Sequence, residues 1–298
     1  MLISKIGEFS LIERFRKSIS TDSSVFKGSG DDCAVLEFNK DYYQLFTCDM
    51  IVEGVDFTSR TEPSLIGRKA LAVSISDIAA CGGIPRHTVV SVGIPRNTSV
   101  GYIDKLSKGL FSLAKEYKVN VVGGDLSRSQ KVVLDVSMLG LVEKKYLVLR
   151  SKAKAGDIIF VTGRLGGAIL GRHLKFTPRI KEARYLVENF KVNSMIDISD
   201  GLGQDLHHIL KESSVGAVIY ENLIPLSKQA RGIKDALFMG EDFELLFTLS
   251  SKEADRLLKK KQGIFTAIGK ITDKRYGVRL IGGNNKERFL LPGGFRHF

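Results

Sequence analysis

Leu65–Ala80, LIGRKALAVSISDIAA, reads as a helix, stopped by Gly82-Gly83 and Pro85 before Thr88–Ile94, TVVSVGI, reads as a strand. That switch from helix to strand decides the fold class, and it recurs on both sides. Downstream, Ile103–Tyr117 reads as a helix and Val119–Val122 as a short strand running into Gly123-Gly124-Asp125. Val132–Val142 is a further strand. Upstream, Tyr42–Phe46, YYQLF, reads as a strand ending at Thr47-Cys48-Asp49. Phe9, Ile12, Phe15 and Ile19 recur at three and four, which predicts an amphipathic helix over 8–19. Such alternation indicates an α/β or α+β domain.

The pattern breaks at Tyr146–Gly156, YLVLRSKAKAG, a basic, turn-rich stretch that places a boundary between domains 1–147 and 148–298. The second half restarts with a strand at Asp157–Thr162, followed by Gly163–Gly171 and then helices. Ser194–Ile198 reads as a strand leading through Ser199-Asp200-Gly201 into a helix, Leu202–Leu210. Glu244–Leu249 and Arg279–Ile281 are later strands.

A chain of 298 residues, 43% hydrophobic and 26% charged, is long enough for two globular domains and is neither disordered nor low in complexity. No run of about 18 apolar residues predicts a membrane span. The N-terminal stretch carries Glu8 and Glu13 where a signal peptide needs an apolar core. Three cysteines, Cys33, Cys48 and Cys81, with no C-x-x-C pair, point to a reducing, cytoplasmic setting. The net charge of +12 is uneven: residues 1–150 hold 20 basic and 17 acidic side chains, residues 151–298 hold 25 and 16. The densest basic run, Lys259-Lys260-Lys261, ends a helical pattern, where cations favour the negative pole of the helix. With no zinc finger, RRM signature or basic-region heptad, nucleic acid is not an expected partner.

The unusual feature is acids at the edges of apolar runs. Asp31 and Asp32 lie in GSGDDCAVL, Asp49 ends QLFTCD, Asp77 sits in LAVSISDIAA and Asp125 ends VNVVGGD. Asp197 and Asp200 lie in SMIDISDGL, and Glu241 and Asp242 in FMGEDFELLF. A partly desolvated carboxylate needs a neutralising partner. Few basic residues are adjacent in sequence, whereas a divalent cation satisfies several carboxylates at once. The donors are all oxygens, and the adjacent His207 and His208 cannot point one way from a helix. Such a set suits Mg²⁺, Mn²⁺ or Ca²⁺, and its size suits several Mg²⁺ ions on a polyphosphate. Any one of these acids can instead be a helix cap, as can Asp157 or Asp205.

The glycines of Gly163–Gly171 do not keep the G-x-G-x-x-G spacing of a dinucleotide site and read as close packing. Gly123-Gly124-Asp125 differs, because a backbone without Cβ beside an acid admits a phosphate and its metal. No P-loop, protein-kinase or nucleophile-elbow motif is present.

Together these motifs resemble the thiamine-monophosphate kinase family, of the superfamily that includes aminoimidazole ribonucleotide synthase. The pieces are GDDCAVL (30–36), TCDMIVEGVDF (47–57), GRKALAVSISDIAACGGIP (67–85), VVGGD (121–125), AGDIIFVTGRLGGAILG (155–171), MIDISDGLGQDL (195–206), GEDFELLF (240–247) and GFRHF (294–298). They follow the family's order across nearly the whole chain. The resemblance implies an N-terminal α/β domain whose strands join a dimer barrel, an α+β C-terminal domain, and a homodimer. It implies metal ligation by Asp31, Thr47, Cys48 (through its carbonyl), Asp49, Asp77, Asp125, Asp197 and Asp200. It implies ATP contacts at Gly124, Asp125, Arg150 and Ser199, and substrate contacts at Asp56, Glu241 and Phe295. Asp56 stands where the family usually has His, Cys48 where a second Thr is common, Ser74 where Asn is common, and Met239 for the first Gly of G-G-E-D.

The expected reaction is transfer of the ATP γ-phosphoryl group to thiamine monophosphate, giving thiamine diphosphate and ADP. The acceptor is already a phosphate oxygen, largely deprotonated at neutral pH because its second pKa is about 6. Catalysis then needs positioning and charge neutralisation rather than a strong base. Among the implied ligands, Asp31, Asp49, Asp125 and Asp200 carry the catalytic expectation. The alternatives are a purine-pathway cyclo-ligase of the same superfamily and a non-catalytic nucleotide-binding relative.

Overall fold

A computed structural model describes residues 3–283 and 286–297. The first half runs α1 (Ile3–Ile6), α2 (Glu8–Arg16), β1 (Val25–Lys27), β2 (Ala34–Glu37), β3 (Tyr42–Val52), α3 (Pro63–Ala80), β4 (Ile84–Ile94), α4 (Val100–Tyr117), β5 (Asn120–Arg128) and β6 (Val133–Glu143). Its strands form one sheet in the order β1-β2-β3-β6-β4-β5. All pairs are antiparallel except β4 with β5, which α4 connects as the crossover that a parallel pair requires.

The second half runs β7 (Ile158–Thr162), α5 (Ile180–Asn189), β8 (Val192–Asp197), α6 (Leu202–Ser213), β9 (Gly216–Tyr220), α7 (Ile233–Phe238), β10 (Leu245–Leu249), α8 (Ser251–Lys259), β11 (Phe265–Thr272), β12 (Val278–Ile281) and β13 (Glu287–Phe289). These strands form a second sheet in the order β13-β12-β9-β11-β7-β10-β8. The architecture is therefore mixed α/β, with mainly antiparallel pairing. No helix among the described residues is long and apolar enough to cross a membrane.

Helix α3 organises the molecule. Pro63 starts it at a position where the missing N–H costs nothing, and Gly82 (φ 74°) follows its end. It is apolar nearly all round, so it is buried nearly all round: Ile66, Leu71, Ile75 and Ile78 are fully enclosed. It packs on β3 and β6 of the first sheet, on α4, and on α5 and β8 of the second half. Gly67 and Gly109 let α3 and α4 approach closely, since a Cβ at either would run into the other helix or its start. A helix enclosed on every side must find partners for its few polar groups. Those partners define the site.

Several elements differ from the sequence reading: β3 runs on past Asp49 to Val52, and β4 begins at Ile84 rather than Thr88. The helix at the N-terminus stops at Arg16, and Ile12, Phe15 and Ile19 remain exposed. It is held instead by ion pairs of Arg16 with Glu212 and Lys211 with Glu13, and by Phe9 against the His208 ring. The strand expected to end at Val122 continues to Arg128, because parallel pairing with β4 persists through the glycines. After β7, residues 163–174 form a loop with two 3₁₀ turns rather than long helices. Gly163, Gly166, Gly167 and Gly171 all have positive φ, and the first three pack directly on neighbouring chain, in keeping with close packing.

Candidate functional site

The site grows from the polar residues of α3. Ser74 Oγ donates to Asp49 Oδ2 at 2.7 Å and lies 3.2 Å from the Val136 carbonyl. Ser76 Oγ donates to Asp197 Oδ2 at 2.6 Å. Asp77 accepts from the Thr47 hydroxyl. Strand β3 alternates, so Thr47 and Asp49 both face α3. Strand β8 ends at Asp197 beside the same helix. One carboxylate oxygen each from Asp32, Asp77 and Asp197 lies within 4.8 Å of the other two.

The Gly30–Asp32 loop closes this cluster from another side. Asp31 Oδ1 accepts from the Arg150 backbone N–H at 2.8 Å, and Asp32 accepts from the Arg150 guanidinium at 2.8 Å. Asp31 Oδ2 is buried without a hydrogen bond, its nearest cation being Lys27 Nζ at 3.8 Å. Two cations, Lys27 and Arg150, thus face Asp31, Asp32, Asp49, Asp77 and Asp197. The imbalance shows in the acids. Burial, then Asp32, pushes the Asp31 carboxyl up to about 7 and the Asp197 carboxyl up to about 8. Burial raises Asp49 to about 6 against its bonds to Ser74 and Asp77. Asp77 is driven well up by burial, with Asp49 and Asp197 adding to it. For Arg150, burial opposes the charge, but Asp32, Asp31 and Asp205 together outweigh it and raise the guanidinium pKa.

Asp200 lies beyond the end of β8, its carboxyl raised to about 6 by burial and by Glu8. The loop around it gathers the other expected contacts. Glu241 N–H donates to the Ser199 carbonyl at 2.7 Å, and Phe295 N–H donates to the Asp200 carbonyl at 3.0 Å. Gly240 and Gly294 permit these approaches, since a Cβ on either would strike the Ser199 or Asp200 carbonyl. Phe295 meets the His297 ring edge-on at 4.9 Å; Phe298, the last residue of that motif, lies outside the described residues. A cavity of about 550 Å³ opens beside Asp31, Arg150 and Asp200, walled by Phe9, Ile12 and His208.

Not every expected residue joins this cluster. In register, Asp49 pairs with Val136, Val136 with Val90, and Val90 with Gly124. Gly124 is thus three strand spacings away, about 14 Å. Asp125 and Cys48 lie at the alternate positions, on the sheet face away from α3, where the Cys48 thiol meets Asp135 at 3.3 Å. Asp125 is exposed on the edge strand. Asp56 turns its carboxylate back onto the Val52 N–H at 2.8 Å, bracing its own turn.

Few basic residues adjoin these acids in sequence, but several of the acids find basic partners remote in sequence. Arg172 pairs with Asp242 at 2.5 Å, Arg179 with Glu244 at 2.6 Å, and Lys69 with Glu241. Asp205 caps the start of α6, whereas Asp157 ties a turn to a neighbouring strand. Asp205 reaches back to the Asp200 and Gly201 N–H groups, and Asp157 accepts from Lys154 N–H and Asn193. Asp32 belongs to the acidic set of the sequence but not to the implied ligands, and Ser74, Ser76 and Lys69 carry no functional expectation there. Their signal was polar interruption of an otherwise apolar helix, or adjacency to Asp31. A second group, Asp200, Asp205 and His208, also brings ligand-type atoms together, and its D-x-x-H spacing on α6 was visible. Met239 has φ −83°, ordinary helical backbone that needs no glycine.

Family models identify the two halves. The AIR synthase related protein N-terminal domain matches residues 30–142, and its C-terminal domain matches residues 137–281. The thiamine-monophosphate kinase of Buchnera aphidicola subsp. Acyrthosiphon pisum is 36% identical over 99% of both chains. That of Bacillus subtilis is 33% identical over 98% of this chain and 100% of its own. The chain belongs to the thiamine-monophosphate kinase family. It is accordingly an enzyme, a kinase of that family. The structure of AaThiL complexed with AMPPCP and TMP superposes with a TM-score of 0.87 at 31% identity, covering 100% of this chain and 99% of that one. The thiamine monophosphate kinase of Aquifex aeolicus superposes with a TM-score of 0.81 at 30% identity, covering 97% and 100%. In this kinase, then, the buried carboxylate cluster lies where the two family domains meet on α3.

Proposed function

We propose that this kinase transfers the γ-phosphoryl group of ATP directly to the phosphate of thiamine monophosphate, giving thiamine diphosphate and ADP. The observation that carries the reading is the buried carboxylate cluster of Asp31, Asp32, Asp49, Asp77 and Asp197, outnumbering its cations. The orphaned Asp31 Oδ2 and the raised carboxyl groups fit an all-oxygen site for several Mg²⁺ ions. Asp31, Thr47, Asp49, Asp77, Asp197 and Asp200 would hold them, with Asp125 and the Cys48 carbonyl as further proposed ligands. Bound there, Mg²⁺ would neutralise charge on the phosphates and on the transferring group.

The residues of the chain do the positioning. Arg150, aimed by Asp32, stands at the cavity beside Asp31 and offers a guanidinium fork to an ATP phosphate. Ser199 and Gly124 are kept as ATP contacts. Glu241 and Phe295, fixed on either side of the Ser199-Asp200 loop, face the acceptor, where an aromatic ring and a carboxylate suit a cationic heteroaromatic substrate. Asp56 shapes the neighbouring turn. No nucleophile and base pair is needed, since the acceptor oxygen is already anionic.

The face of the first sheet away from α3 carries exposed Phe46, Met50, Ile84 and Val89. We take this apolar face as the surface that closes a homodimer barrel, with domain limits at 1–147 and 148–298 and a cytoplasmic setting.

The deciding experiment is ADP release in the presence of Mg²⁺ and ATP, with thiamine monophosphate, thiamine and formylglycinamidine ribonucleotide as parallel acceptors. ADP release with thiamine monophosphate alone, matched by thiamine diphosphate, is expected. Turnover only on another acceptor would reject the substrate while leaving the family intact.

A further inference from the structure

Lys69 has no place in the expected site, yet it is completely enclosed, with 0% of its surface exposed. It lies on α3, and its ammonium donates to two partners. One is the Glu241 carboxylate; the other is the Asp56 carbonyl oxygen at 3.0 Å. A single buried charge thus ties the 53–57 turn of the first half to the 240–244 loop of the second. Replacing such a buried pair by apolar groups is often neutral for stability, so stability alone does not account for it.

The 240–244 loop needs external holding. Glu241 and Phe243 have φ of 61° and 49°, left-handed conformations that non-glycine residues adopt at a cost. Each acid in the loop has its own clamp. Asp242 is held by Arg172 and the Gly166 N–H, and Glu244 by Arg179 and Thr162. All of those clamps come from the second half. Among the described residues of the first half, Lys69 is the one that bonds the Glu241 carboxylate, and burial raises that carboxyl against the pull of Lys69. Loss of Lys69 therefore releases Glu241 while its neighbours stay fixed.

We propose that Lys69 is a positioning residue that sets the affinity for the acceptor substrate by fixing Glu241 against the Asp56 turn. This rests on the reading that Glu241 faces that acceptor. ATP, placed beside Arg150 and Asp31, is not served by this contact.

The test measures KM for each substrate in wild type, K69M, E241Q and the double variant. In K69M the KM for thiamine monophosphate is expected to rise about tenfold, with the KM for ATP within about twofold. E241Q shifts in the same direction, and the double variant is no worse than the poorer single one, because both remove one interaction. Equal rises for both substrates, additive effects, or an unchanged acceptor KM would overturn the proposal. Should K69M fail to fold, E241Q, whose side chain is 17% exposed, decides alone: an acceptor KM equal to wild type rejects it. Wild type inactive on thiamine monophosphate would instead sink the functional reading itself.

Discussion

Ser76 on α3 and Asp197 at the end of β8 are joined by a 2.6 Å hydrogen bond across 121 positions of sequence. Asp197 is 3% exposed, so the hydroxyl is what orients a carboxylate that would otherwise be desolvated without a fixed direction. The bond couples the two halves at the cluster itself. S76A is expected to destabilise the metal-free protein by about 1–3 kcal/mol, the cost of an unsatisfied buried acceptor. Chemical denaturation in EDTA measures it; an unchanged midpoint would show that Asp197 is held by other means.

The cluster also predicts an inverted response to charge removal. D77N removes one of several crowded buried carboxylates, so the metal-free protein is expected to hold or gain thermal stability. Wild type should gain stability on adding Mg²⁺, by about 2.7 kcal/mol at a hundredfold excess over Kd. D77N should lose most of that gain and at least about a hundredfold in kcat, as expected when transition-state charge loses its stabilisation. Melting curves with and without Mg²⁺ test this, and an equal Mg²⁺ shift in D77N would remove Asp77 from the ligand set.

The pH dependence of the metal-free protein follows with a definite sign. Folded Asp31, Asp49 and Asp197 titrate at about 7, 6 and 8, against an ordinary value of 3.8. Between about pH 4 and 8 the folded state therefore binds more protons than the unfolded one, and stability falls as pH rises through this window. In EDTA the melting temperature is expected to be higher at pH 5.5 than at pH 8.5. Saturating Mg²⁺ should flatten or reverse that slope. A melting temperature that rises with pH in EDTA would contradict it.

Gly240 has φ 71°, and a Cβ there would strike the Ser199 carbonyl. G240A must therefore adopt a strained backbone and push Glu241 away from the Ser199-Asp200 loop. A loss of at least about 1 kcal/mol and a marked fall in activity are expected. The control is G101A, at an exposed helical position with open space around it, which should leave the acceptor KM unchanged.

Val89 lies on the open face of the first sheet, on β4 beside the edge strand β5, and is 41% exposed. If the proposed homodimer forms through this face, V89D is expected to sediment as a monomer, because an isolated carboxylate in an apolar interface is costly. A wild-type protein that sediments as a monomer would refute the barrel.

The local reading of the sequence was strongest where one period held. The α3 pattern and the DISDGL turn into α6 lie where the spacing puts them, and the strand read at Tyr42–Phe46 is present but runs on to Val52. It was weaker where neighbours decide. Short strands such as β1 and β13 carry too few residues for a period, and the glycines of 163–171 favour a packed loop over a helix only because α7 and the Gln229 backbone press on them. The apolar stripe read over 8–19 sits on α2 only as far as Phe15, and periodicity says nothing of what covers it.

The acidic motifs, their order, the buried character of α3 and, through resemblance, the family are legible in the chain alone. These depend on residues near one another in the chain, where hydrophobic periodicity and motif spacing act directly. Which acids share a site is set by the three-dimensional fold. It set Asp31, Asp32, Asp49, Asp77 and Asp197 together, placed Asp125 and Cys48 on the opposite face of the sheet, and gave Glu241 to Lys69. Those pairings are between groups far apart in the chain, chosen by strand register and by the need of a fully enclosed helix to satisfy its few polar side chains.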